Sequence, residues 1–114
     1  MVRIIVIVAR RPRFSLVYAP AVKQHLRAIA LEHHAIIRRK IEEQLQFEPG
    51  VETRNRKPLH QPAALAATWE IRFGPANRLR VLYDIDPERR TVVILAIGER
   101  DGDRLLIGKE EVEL

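Results

Sequence analysis

The chain has 114 residues, 46% hydrophobic and 31% charged, which suffices for one packed core, not two, and is too apolar for a disordered tail. Lys and Arg number 20 against 15 Asp and Glu, a formal charge of +5 with a pI near 10.2. That balance favours an anionic partner such as RNA, DNA or an acidic protein. The absence of cysteine excludes a disulfide framework, thiolate catalysis and cysteine-ligated zinc, and fits a reducing cytoplasm.

In chain order, the apolar run Ile4 to Ala9 is far too short to span a bilayer. It follows a lone Arg3 and runs into Arg10-Arg11-Pro12-Arg13, not a small-residue cleavage site, which argues against a signal peptide. Its β-branched residues predict a buried strand; residues 1–13 read either as that extra strand or as an N-terminal extension. Phe14 to Tyr18 predicts a second strand, with Phe14, Leu16 and Tyr18 on one face. Pro20 suits the first turn of a helix carrying Val22, Leu26 and Ile29. Glu32-His33-His34 falls at a turn. A second helix puts Ile37, Ile41 and Leu45 on one stripe and stops at Pro49-Gly50. Two amphipathic helices with a short break predict a helical hairpin.

Residues 51–67 have no periodicity and read as a basic loop. The period then becomes two. Trp69, Ile71 and Phe73 alternate with Glu70 and Arg72, and Leu79, Val81, Tyr83 and Ile85 alternate with Arg80 and Asp84. Val92 to Ile97 is apolar on both faces, as in a central strand. Turns at Gly74 to Asn77 and Asp86 to Arg90 make these three strands an antiparallel meander. The tail from Arg104 to Leu114 shows no strong pattern. The expected architecture is a single α+β domain over residues 1–114, in two layers, with the helical hairpin on one sheet face. The other face should be open and carry Glu70, Arg72 and Arg80.

Neither a phosphate-binding glycine loop, an HExxH motif nor a nucleophile elbow occurs. His25, His33 and His34 lie near Glu32 without recognised ligand spacing, and no metal or cofactor is called for. Arg72, Arg80 and Arg100 should share the outward sheet surface. Three guanidiniums there can grip phosphate by bidentate hydrogen bonds or stabilise the extra charge of a phosphorane. The plainer reading pairs Arg72 or Arg80 with Glu70 or Asp84 on a solvated face.

The segments Arg56-Lys57-Pro58-Leu59, Trp69 to Phe73, Arg78 to Asp86 and Val93 to Arg100, in that order and spacing, resemble the C-terminal half of RelE/ParE toxins. Phe14 to Leu26 resembles their first strand and helix, so the likeness covers most of residues 14–100. The resemblance implies a RelE-like, microbial RNase-like fold and a cognate antitoxin, as in type II toxin–antitoxin or plasmid stabilisation modules, with a homodimer as an open alternative. RelE-type members are mRNA interferases, endoribonucleases that inhibit translation by cutting ribosome-bound mRNA without metal. ParE-type members act on DNA gyrase and lack the ribonuclease residues.

Residue by residue, the RelE-type transition-state arginine falls on Arg80, the arginine after the last strand on Arg100, and the second of two lysines on Arg72. The first lysine falls on Glu70, a charge reversal, and the RNA-stacking tyrosine on Leu106. Arginine hardly deprotonates, so the resemblance leaves Glu70 or His60 to act as base. Arg54, Arg56, Lys57 and His60 are the expected RNA-binding residues of the basic loop. The expected function is an mRNA-cleaving toxin; a non-catalytic gyrase inhibitor, a degenerate antitoxin-binding relative and a simple RNA-binding module are the alternatives.

Overall fold

The computed structural model describes residues 13–114; the strand expected at Ile4 to Ala9 lies outside them. Strand β1 (Ser15–Tyr18) leads into helix α1 (Val22–Arg27), a 3-10 turn at Leu31–His33, and helix α2 (His34–Leu45). Then come β2 (Arg56–Pro58), β3 (Trp69–Phe73), β4 (Leu79–Asp86), β5 (Thr91–Asp101), β6 (Arg104–Ile107) and β7 (Glu110–Val112). Strands β2 to β7 follow one another across a single sheet, each antiparallel to the next, and β1 joins β5 in parallel.

The α+β fold is the expected one, with a wider sheet. The meander β3-β4-β5 is extended by β2 on one side, inside the segment read as a loop, and by the β6–β7 hairpin on the other, inside the patternless tail. At three residues, β2 is too short to show a period. The β6–β7 connection is Gly108-Lys109, both at positive φ (59° and 69°), the left-handed backbone that a tight two-residue hairpin loop uses.

The helix stripe works as expected. Ile37, Ile41 and Leu45 are buried one turn apart and meet Ile71, Val81, Tyr83, Val92 and Ile94 from the sheet. Helix α1 is a short partner rather than a full hairpin arm, and His34 finishes it. The Nε2 of His34 lies 2.8 Å from the Leu26 carbonyl and 3.0 Å from that of Ile29. Both partners are acceptors, so Nε2 carries the proton and ties the end of α1 to the start of α2. Tyr83 donates to the Pro49 carbonyl at 2.7 Å, fixing the turn after α2 to the sheet, and burial pushes its phenol well above the usual range.

On the side away from β4, strand β5 serves two neighbours. Its first half pairs with β1 and its last residues with β6. In the gap between them the Ile97 N–H donates to Nδ1 of His25 at 3.3 Å. Burial lowers the His25 pKa from 6.5, which keeps the ring neutral and Nδ1 able to accept. A depressed folded pKa means that this contribution is whole above the unfolded value and is lost as pH falls through the folded one. Melting followed between about pH 7.5 and pH 5 should therefore show a fall specific to His25. The lost bond is worth about 1 kcal/mol, roughly 4 °C for a domain of this size. His25→Gln should melt with a shallower pH dependence; identical slopes would remove His25 from this role.

The second sheet face is not open. Leu82 and Ala96 on it are covered by Ala67, Leu105 and Ile107, with Leu59, Leu95 and Val112 around them. Residues from both ends of the sheet order thus meet over one face. The alternation in β4 is correspondingly lost, since Leu79 to Tyr83 is buried on both sides.

Candidate functional site: a buried carboxylate between arginines

Register brings the expected residues together. Arg72 pairs with Arg80, Arg80 with Gly98, and Glu70 with Leu82, so Glu70, Arg72 and Arg80 share the second face and Arg100 follows two residues beyond Gly98. Glu70 is 1% exposed and Arg80 8%. One carboxylate oxygen of Glu70 accepts from Arg72 Nε at 2.7 Å and from Arg80 Nη1 at 3.1 Å. Arg80 Nε donates to the Asn77 carbonyl at 3.0 Å. Arg100 donates from Nε to the Gly102 carbonyl at 3.1 Å and is near enough to be felt. Burial lowers the Arg80 pKa, Glu70 acts to raise it again, and the charges of Arg72 and Arg100 lower it.

This arrangement corrects the picture of an open arginine face. The guanidinium of Arg80 is buried and committed to protein acceptors, so an anion arriving from solvent meets Arg72 and Arg100 first. Glu70 is equally poorly placed to take a proton from a substrate. It is buried, and one oxygen already accepts from two guanidiniums.

Of the basic-loop residues, Arg56 sits elsewhere than expected. It is 7% exposed, and its guanidinium donates to the Val51 carbonyl at 3.0 Å and to the Gln44 carbonyl at 2.7 Å. It closes the C-terminal end of α2, with its guanidinium committed to these carbonyls. Arg54 is exposed. Lys57, His60 and Arg72 line one cleft of about 350 Å³, together with Glu52, Leu59 and Leu114. Leu106 pairs with Glu99 and lines a separate hollow beside Ile29, on the helix side of the sheet, away from Arg80. Among the described residues no three His, Asp or Glu side chains gather as a metal site, and no helix is long and apolar enough to cross a membrane.

Sequence reasoning missed the strand β7 and Leu114 beside the basic cleft. The signal was available: Leu105 and Ile107, then a Gly-Lys pair, then Glu110 to Val112, is a hairpin pattern.

No protein-family model matches the sequence, and no curated protein does. Among solved structures, the chain is similar to one in the crystal structure of the toxin–antitoxin complex RelBE2 from Mycobacterium tuberculosis. The TM-score is 0.63 at 28% identity, over 80% of this chain and 95% of that one. With the element order β-α-α followed by an antiparallel sheet, the chain has a RelE-like α+β fold and is related to RelE-family toxin–antitoxin proteins.

Proposed function

We propose that this chain is the toxin component of a type II toxin–antitoxin system, a single toxin domain that acts in the cytoplasm and is neutralised by a cognate antitoxin. The likeness to a chain of RelBE2 over almost all of that chain's length carries the reading, and the basic composition fits an acidic or nucleic-acid partner. The test is induced expression with and without the neighbouring open reading frame. Growth should resume when that frame is present and stop when it is absent. Unimpaired growth with well-folded protein alone would sink the proposal.

Two modes of action divide the superfamily, and the buried Glu70 favours the one that cuts nothing. Metal-independent cleavage of ribosome-bound mRNA needs a base and a guanidinium free to meet the phosphorane. Here Arg80 is held by Glu70 and Asn77, and the residue in the first lysine position is an acid. A ParE-like inhibitor of DNA gyrase makes no such demand. In a translating extract, mRNA should remain intact while purified protein inhibits gyrase supercoiling. Cuts in ribosome-bound mRNA would restore the ribonuclease mode, with Arg72 and Arg100 as its contacts and His60 as the remaining base.

A further inference from the structure

Strand β7 and the two residues after it form the least attached part of the sheet. Hydrogen bonds bind β7 to β6 alone, through Leu105↔Val112, Leu106↔Glu111 and Ile107↔Glu110. Glu110 and Glu111 are exposed and Val112 is half-buried, packed against the apolar cluster of the second face. One partly buried valine is a small anchor, so such an edge opens far more readily than the core.

Its position is the informative part. Leu114 borders the cleft of Lys57, His60 and Arg72. Leu114 also borders a second cleft, of about 370 Å³, whose lining includes Arg100 and Arg104 together with Asp103, Glu111 and Glu113. The segment Glu110-Glu111-Val112-Glu113-Leu114, with three glutamates in five residues, therefore lines the second cleft from Glu111 onward and ends, at Leu114, between the two. Opposite charges are set side by side without being locked into buried pairs, an arrangement that another polyanion can displace.

We infer that β7 with Glu113 and Leu114 is a detachable acidic cover, which occupies the basic face and keeps a phosphodiester backbone from binding across Lys57, Arg72, Arg100 and Arg104. The inference goes beyond the proposed toxicity: a toxin of either mode can have or lack such a cover, and RNA binding can fail while growth arrest stands.

The probe is a fluorescent single-stranded RNA oligonucleotide, with binding read by anisotropy at low and moderate salt. The triple variant Glu110→Gln, Glu111→Gln, Glu113→Gln preserves the strand and removes the charge. It should bind roughly tenfold tighter than the parent at low salt, with a salt slope steeper by about 0.7 for each additional phosphate neutralised. A chain ending at Lys109 should bind at least as tightly. The control Glu32→Gln, Glu43→Gln, Glu88→Gln makes the same charge change away from the clefts and should shift affinity by less than about threefold. Hydrogen exchange at Glu110 to Val112 should accelerate when RNA is bound. The inference is overturned if the first triple variant, folded by circular dichroism, binds within twofold of the parent, or if the control tightens binding as much.

Discussion

Glu70→Ala is expected to lower the unfolding free energy by roughly 3–5 kcal/mol, the range for removing one partner of a buried ion pair. Glu70 is the counter-charge of a buried Arg80 and a half-exposed Arg72. Without it, Arg80 keeps only the Asn77 carbonyl among its observed acceptors, and a charged guanidinium stays desolvated. Arg72, 42% exposed, can turn to water and should contribute little to the loss. Glu70→Gln should cost less, because Oε1 can still accept. The double change Glu70→Leu with Arg80→Met should recover much of the stability, since an apolar replacement of a buried pair is often neutral. Urea unfolding of the parent and these three variants measures this. A loss under about 1 kcal/mol in Glu70→Ala would mean that Arg80 relaxes to solvent and that its face opens readily.

Gly98→Val should act almost as strongly, through space alone. A Cβ on Gly98 would lie 2.5 Å from the Leu106 carbonyl oxygen and 2.9 Å from Ile107 Cγ1. The first of these is backbone inside the β5–β6 ladder and cannot swing aside. Overpacking of this kind costs about 1–3 kcal/mol or somewhat more, and the branched side chain should place it at the upper end. The strain falls on β6 rather than on the β3–β4 pair, so hydrogen exchange should become fast in β6 and β7 while Val81 and Tyr83 remain protected. Uniform loss of protection would instead show that β6 is integral to the core. Gly98→Ala, with one carbon added, should show the same pattern at smaller cost.

The helix stripe Ile37-Ile41-Leu45 and the strands at Trp69 and Leu79 were legible because burial on one face leaves a period, and the central strand from Val92 because burial on both faces leaves a short unbroken apolar run. The register that sets Arg72 beside Arg80 was legible too, since period two and short turns fix it. The covered second face was not. Its lid comes from Leu105, Ile107 and Val112 near one end of the sheet and from Leu59, far away in sequence, at the other, so neither edge announces what it will cover. Glu70 was singled out as a departure, but alternation alone placed it in water. Only the closing of the sheet edges over it turns a surface charge into a buried one. Arg56 misled for a related reason: a basic residue in an aperiodic stretch looks solvated until a helix end supplies the carbonyls it binds.

The parallel pairing of Ser15–Tyr18 with Thr91–Ile94 has a consequence for how the chain is made. The first described strand has no ladder partner until most of the sequence exists, and joining it to β5 closes a loop that contains both helices and three strands. Such non-local pairing carries the loop entropy before any contact repays it, and it slows folding. During synthesis at ~5–20 residues per second, β1 must wait several seconds unpaired while α2 and the β3–β4 hairpin can already form. A nascent chain stalled before Thr91 should be protease-sensitive throughout its first strand. The fold, and any toxicity that depends on it, is then completed only as the last part of the chain emerges, which leaves time for an inhibitor made beforehand to meet the newly folded protein.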